Sequence, residues 1–189
     1  MHFRIRGRPQ NKPREIRRAK AAPTHRQTNI QEANSVNDEV FMKQAIELSR
    51  LAVEHGNEPF GAVLVKNGEV VYTNENQIYT MHDPSFHGEA GLIRRFFAET
   101  GITDLTEYTM YSSCEPCFMC SGAMVWVKLG RLVYGASNDD LERILGNDGC
   151  ECSRMVFENS FHSPKVTSGV LREESLAVLE SYFKSHAKG

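Results

Sequence analysis

A short apolar run followed by a tight turn places the strongest constraint on the fold of this chain. Residues 61–66, G-A-V-L-V-K, form a continuous apolar segment that is typical of a buried strand. The pair Asn67-Gly68 favours a two-residue hairpin turn, and E-V-V-Y-T at 69–73 supplies the returning strand. The sequence therefore predicts a β-hairpin over residues 61–73, around which the other elements must be arranged.

Segments with helical and strand patterns alternate along the rest of the chain. Apolar residues at helical spacing predict an amphipathic helix over 38–54. Asp83 and Pro84 favour a helix start, because aspartate caps a first turn and proline is tolerated in it, and they predict a helix running to about residue 99. The remaining predicted elements are strands over 108–113 and 131–136 and helices over 117–128 and 172–186. This alternation indicates an α/β fold with a mixed sheet, while 137–163 carry no clear pattern.

Charge is distributed unevenly over the 189 residues. Residues 1–26 contain nine of the 22 Lys and Arg but only one of the 24 Asp and Glu, so the remainder carries 13 basic and 23 acidic side chains. We predict a basic, disordered extension over 1–34 and one domain over 35–189. The extension is interpreted as a nucleic-acid-binding arm, an organelle presequence or a solvated tail. The acidic remainder of the chain, in contrast, is poorly suited to bind the phosphate backbone of a nucleic acid.

The cysteine content favours a reducing compartment. Five cysteines is an odd number for a disulfide framework, and three of them lie within S-C-E-P-C-F-M-C at 113–120. No apolar run is long enough to span a membrane, and the N-terminus lacks the apolar segment of a secretory signal. We therefore expect a cytoplasmic protein without a membrane partner.

The clustered cysteines allow several chemistries. Cys114, Cys117 and Cys120 form two overlapping C-x-x-C pairs, a spacing that permits redox work. A bacterial iron–sulfur run needs a fourth nearby cysteine, and the next one is Cys150. Zinc needs three or four nitrogen or sulfur ligands, and Cys117 and Cys120 share one face at a predicted helix start.

His87 is the candidate for a third zinc ligand. It stands at the start of another predicted helix, two residues before Glu89. Three protein ligands leave one position open, which is the arrangement of a catalytic rather than a structural zinc. Glu89 would then lie close to the metal without binding it and could take a proton from water and pass it on.

Four motifs occur in a familiar order and spacing. They are N-E-P-F-G-A-V-L-V at 57–65, Asn76, H-D-P-S-F-H-G-E at 82–89 and S-C-E-P-C-F-M-C-S-G-A-M at 113–124. H-x-E followed by P-C-x-x-C is the signature of zinc-dependent base deaminases. The sequence thus resembles the cytidine deaminase-like superfamily, and in particular guanine deaminases, yeast-type cytosine deaminases and bacterial tRNA adenosine deaminases.

The resemblance implies a fold, a cofactor and a set of contacts. It implies a three-layer α/β/α sandwich with a central mixed five-stranded sheet, a Zn²⁺ ion on His87, Cys117 and Cys120, Glu89 as the catalytic proton carrier, and a homodimer. It also implies that Phe60 packs against the substrate ring, that Asn76 hydrogen-bonds the base, and that Ala62 and Ser113 offer backbone or hydroxyl contacts to its edge. Trp126 is expected in the core or in a subunit interface.

Three functions remain open at this point. The first is hydrolytic deamination of a free nucleobase or nucleoside of guanine or cytosine type, which suits an acidic body. The second is tRNA adenosine deamination, to which H-D-P and V-T-S-G-V-L-R-E-E at 166–174 are similar, with the basic tail as an RNA grip. The third is a non-catalytic zinc module, against which Glu89 argues. Cys114 and Glu115 are interpreted as structural, and Cys150 and Cys152 as lacking a histidine partner for a second metal site.

Overall fold

The computed structural model of the chain describes residues 25–186. Within them, six helices and five strands follow one another along the chain. The strands are β1 (Gly61–Lys66), β2 (Glu69–Glu75), β3 (Tyr108–Cys114), β4 (Arg131–Ala136) and β5 (Lys165–Ser168). The helices are α1 (His25–Glu54), α2 (Gly88–Thr100), α3 (Phe118–Trp126), α4 (Asn138–Leu145), α5 (Cys152–Glu158) and α6 (Arg172–His186).

The five strands form one mixed sheet in the order β2-β1-β3-β4-β5. β1 pairs antiparallel with β2 and β3, whereas β3–β4 and β4–β5 are parallel pairs joined by helical crossovers. The predicted hairpin is confirmed: Lys66 pairs with Glu69 across a turn in which Asn67 and Gly68 have φ of 53° and 79°. Both values are left-handed, as a type I′ turn requires, and asparagine and glycine adopt them at low cost.

Helices cover both faces of the sheet, which confirms the predicted three-layer α/β/α sandwich. On one face α2, α3 and α5 bury a core that includes Leu64, Met110 and Leu132 from the strands. On the other face α1 and α6 pack against Val63, Val65 and Val133. Both faces of the central strands are therefore apolar, which is why β1 reads as a continuous hydrophobic run.

Helix α1 is fixed to the sheet by a buried ionic cluster and by a close backbone approach. Asp38 accepts two hydrogen bonds from Arg131, both at 2.7 Å, and a third from the Tyr111 hydroxyl at 2.8 Å. A Cβ at Gly61 would lie 2.4 Å from the Ala45 carbonyl oxygen, so only glycine allows α1 to lie this close to β1. The metal-ligand candidates described below belong to α2 and α3, which lie on the opposite face of this anchored sheet.

Several predicted boundaries differ from the structure. α1 begins at His25, whereas the predicted helix began at residue 38. The predicted division into an extension over 1–34 and a domain over 35–189 stays a prediction, and residues 1–24 lie outside the described part of the chain. α2 begins at Gly88 rather than at Asp83, because the Asp83 carboxylate bonds the backbone N–H of Ser85 at 2.8 Å and closes a separate turn. Residues 137–163 contain α4 and α5, and β5 follows them.

Among residues 25–186, no helix combines the length and the apolar character that a membrane crossing would require.

Candidate metal centre and active site

Two helix starts bring the metal-ligand candidates together. His87 is the residue before α2, Cys117 is the residue before α3, and Cys120 lies within the first turn of α3. The helices thus bring together an imidazole and two thiols that are about thirty positions apart in the sequence.

The donor atoms of His87, Cys117 and Cys120 fit a single ion. All three lie within 4.8 Å of one another, and His87 Nδ1 is 3.6 Å from Cys117 Sγ. For a tetrahedral zinc with Zn–N near 2.1 Å and Zn–S near 2.3 Å, that nitrogen–sulfur distance would be about 3.6 Å. A hydrogen bond from the Cys120 thiol, and a second contribution from His87, lower the pKa of Cys117 to about 4. The thiolate that a metal requires is therefore already favoured.

Glu89 lies beside these residues without joining them. Its side chain is buried in the first turn of α2, and its Oε1 accepts a 2.7 Å hydrogen bond from the Ser112 hydroxyl on β3. Burial, with the neighbouring Cys117 sulfur as the next cause, raises the pKa of Glu89 above its ordinary value. A carboxylate with a raised pKa and a fixed orientation can both accept and return a proton near neutral pH.

A cavity of about 270 Å³ opens onto this group. His87, Glu89, Cys117 and Phe60 line part of its wall. Another part of the wall comes from the C-terminal third of the chain, with Leu141 and Leu145 of α4 and Phe183 of α6. Apolar walls around a few convergent polar groups are typical of a small-molecule site.

The four residues that the resemblance implies as substrate contacts differ in their position relative to the cavity. Phe60 lines the cavity, and Asn76 is fully buried beside it, its backbone N–H donating to the Phe60 carbonyl at 2.8 Å. The Asn76 Nδ2 atom has no hydrogen-bond partner among the described residues, which is costly for a buried amide unless a ligand supplies one. The buried side chain of Ala62 packs in the core, and the Ser113 hydroxyl accepts the Gly61 N–H at 3.1 Å. Asn76, Ala62 and Ser113 are not among the residues that line the cavity, so their role as base contacts stays a prediction.

The remaining cysteines and Trp126 lie outside the group of metal-ligand candidates. Cys114 is buried at the end of β3, and Cys152 is buried at the start of α5. All five cysteines are free thiols. Trp126 is 77% exposed, so of its two predicted places the core is excluded and a subunit interface stays a prediction.

Sequence reasoning missed Ser112 and the α4 wall. Ser112 follows Tyr108 and Met110 on one face of β3, so strand alternation gives the signal that its hydroxyl points toward α2. The cavity also receives the carboxylates of Glu58 and Glu142 and the side chain of Asn138. Glu142 and Asn138 belong to a helix that the polar sequence of 137–163 did not reveal.

Comparison with known proteins agrees with this geometry. A family model described as the cytidine and deoxycytidylate deaminase zinc-binding region matches residues 35–136. A tRNA-specific adenosine deaminase of Buchnera aphidicola is 32% identical over 152 residues, 80% of this chain and 91% of that protein. Guanine deaminase of Bacillus subtilis is 38% identical over 106 residues, 56% of this chain and 68% of that protein.

A solved structure of guanine deaminase from Nitrosomonas europaea has a TM-score of 0.66 and 25% identity, with 77% of this chain and 84% of that one covered. The matched residues 35–136 contain the hairpin, both helix starts and the cysteine run. This chain belongs to the cytidine and deoxycytidylate deaminase zinc-binding family.

Proposed function

We propose that the protein is a hydrolytic deaminase of a free nucleobase or nucleoside, of guanine or cytosine type. The family is one of zinc-dependent enzymes that act on C–N bonds, so the open question is the substrate. The observation that carries the proposal is the small cavity beside the metal ligands, with the carboxylates of Glu58 and Glu142 in its lining. A neutral ring with amino and N–H donors suits such a lining, because carboxylates accept hydrogen bonds and repel phosphates.

Each residue has a defined part in this proposal. His87, Cys117 and Cys120 hold Zn²⁺, which when bound makes a water molecule acidic enough to lose a proton at neutral pH. Glu89 would accept that proton and pass it to the ring nitrogen while the water oxygen bonds to the carbon that bears the amine. It would then carry the second proton of the water to the amine, so that the C–N bond breaks, ammonia departs and a carbonyl remains. Ser112 keeps the Glu89 carboxylate in one orientation through its 2.7 Å hydrogen bond.

The base is held by Phe60 and Asn76. The Phe60 ring offers an apolar face, and the Asn76 amide, whose nitrogen has no partner among residues that the structure describes, is a donor for a carbonyl or ring nitrogen of the base. Ala62 and Ser113 contribute through backbone atoms and through the Ser113 hydroxyl hydrogen, which its bond with the Gly61 N–H leaves free to donate. These contacts fix the ring with its exocyclic amine toward Glu89.

A second candidate is deamination of adenosine in tRNA. Its support is the similarity to a tRNA-specific adenosine deaminase over 80% of this chain, together with the basic composition of residues 1–26. RNA contacts depend on phosphate neutralisation by Lys and Arg, and the body beyond residue 26 has the opposite charge balance. The carboxylates in the cavity therefore favour the small ligand.

Ammonia release from a substrate panel tests the proposal. The zinc-loaded full chain is incubated with guanine, cytosine, adenine, their nucleosides and tRNA, and Glu89→Gln serves as the matched control. We expect turnover of a free base or nucleoside, and a loss of at least about a thousandfold in Glu89→Gln with zinc content unchanged, because the proton carrier is missing. Turnover of tRNA alone would select the second candidate, and an unchanged rate in Glu89→Gln would remove Glu89 from the mechanism.

We also propose a homodimer, formed through an apolar face of α3. Met119, Gly122 and Trp126 lie on one side of this helix, and Phe161 packs edge-on against Trp126 at a ring distance of 5.6 Å. Both rings are more than two thirds exposed.

A cytoplasmic location also stays a prediction, supported by the five free thiols.

A further inference from the structure

Glu115 places one buried carboxylate between two helices. It follows β3 and lies two residues before Cys117. Its Oε2 accepts the backbone N–H of Asn138, the first residue of α4, at 3.0 Å. Its Oε1 accepts the backbone N–H of Ser153 in α5 at 3.2 Å and the Ser153 hydroxyl at 2.5 Å. A single side chain therefore binds the beginnings of both α4 and α5.

Helix α4 depends on this carboxylate at its inner end. The Asn138 side chain adds a link between the two helices, since its Nδ2 donates to the Cys150 carbonyl at 3.1 Å. From this anchored end, α4 carries Leu141 and Leu145 into the wall of the active-site cavity, and Glu115 itself also lines that cavity. Glu115 therefore connects this wall to the strand end that precedes Cys117.

We propose that Glu115 is a positioning residue: through Asn138 and Ser153 it holds α4 and α5 at the distance from the metal centre that gives the cavity its affinity for the base. The effect on the base rests on the proposed function, whereas the effect on α4 does not. The catalytic residue and the metal-ligand candidates are held in place by contacts that do not involve Glu115. Glu89 is oriented by Ser112, and the ligand candidates belong to α2 and α3.

The chemistry of the contact makes a conservative substitution informative. Glu115 is the acceptor in all three hydrogen bonds, and both oxygens of a carboxylate can accept. In Glu115→Gln the amide nitrogen cannot accept, so either the Asn138 N–H or the Ser153 N–H loses its partner. The contact with one helix is then weakened, although the size of the side chain stays the same.

The test compares zinc-loaded Glu115→Gln with the wild type, with guanine and cytosine as probes. We expect KM to rise about tenfold, the loss typical of one charged hydrogen bond, while kcat changes less than about threefold and zinc stoichiometry stays constant. Amide hydrogen exchange without substrate should accelerate in α4 and stay unchanged in α2. Glu158→Gln is the control, because this exposed carboxylate of α5 pairs with Arg154 on the surface.

Ser153→Ala provides a second, milder variant if Glu115→Gln does not fold. It leaves the charge and the Asn138 contact in place and should change KM and α4 exchange in the same direction by a smaller factor. Unchanged α4 exchange and KM in the folded variants would overturn the proposal, as would a loss of kcat or zinc at constant KM. If the wild type turns over neither probe while α4 exchange still responds, the choice of substrate fails and the positioning role stands.

Discussion

Among single side chains, the Glu89 carboxylate relies on one hydroxyl from a different element. Ser112→Ala removes the 2.7 Å hydrogen bond that fixes this carboxylate. We expect kcat to fall about tenfold to a hundredfold with KM nearly constant, because the lost bond involves a charged partner and orients the proton carrier rather than the base. Steady-state kinetics on the substrate found by the panel would measure this split.

The matched control for that experiment is Ser49→Ala. Ser49 is equally buried, but its hydroxyl bonds the Ile46 carbonyl at 2.6 Å within α1, on the other face of the sheet. Its kinetic constants should stay at wild-type values. A similar fall of kcat in both variants would show that loss of a buried hydroxyl, and not the contact with Glu89, causes the effect.

The difference between Glu89 and Ser112 shows which residue roles the sequence can predict. His87, Glu89, Cys117 and Cys120 lie in short motifs whose spacing reflects helix geometry, so their proximity could be expected before the fold was known. Ser112 lies 23 positions from Glu89, and Glu115 reaches Ser153 across 38 positions. Contacts of that range depend on how the elements pack, and no local pattern encodes them.

At the scale of elements, the strands around Asn67-Gly68 were predictable because the turn itself requires those residues. The short polar helices of 137–163 were not, since α4 is held by specific contacts more than by an apolar stripe. Its first turn is closed by a capping box between Ser137 and Asp140. β5 is a four-residue edge strand with mostly exposed side chains, so its pairing with β4 defines it more than its sequence does.

The contacts of Asp140 with Arg172 and Ser137 make the stability of α4 depend on pH. Burial opposes its ionisation, but hydrogen bonds from Arg172 and Ser137 prevail and lower the pKa of Asp140 to about 2. The pKa in the unfolded chain is about 3.9, so this contribution to stability is present above pH 4 and is lost as pH falls toward 2. We expect Asp140→Asn to lower the free energy of unfolding by about 1–2 kcal/mol at pH 7, since Arg172 is partly exposed.

Urea unfolding at pH 7 and at pH 3 measures this contribution. The difference between the wild type and Asp140→Asn should be smaller at pH 3. Asp148→Asn, which alters an exposed carboxylate just beyond α4, should leave the unfolding free energy nearly unchanged at both values. An Asp140→Asn effect that is equal at pH 7 and pH 3 would contradict the ionic origin of this contribution.

For the whole molecule, the surface of α3 bears on assembly. Trp126 and Phe161 form an exposed aromatic pair, and a Cβ built at Gly122 meets nothing within 4 Å, so this face leaves room for a close neighbour. Large aromatic side chains are enriched at the centres of protein interfaces, where association buries them. We therefore expect a dimer in solution, and we expect Trp126→Arg to be largely monomeric, because the substitution would bury an unpaired charge in the interface.

Light scattering coupled to size-exclusion chromatography, over a tenfold range of protein concentration, distinguishes the two states. Val71→Lys is the control, because Val71 is an exposed apolar residue of β2, at the other edge of the sheet from β5. That variant should retain the mass of the wild type. Monomeric wild-type protein would contradict the dimer, and a Trp126→Arg variant that keeps the dimer mass would exclude the aromatic pair from the interface. Selective dissociation of Trp126→Arg would place α3 in the interface.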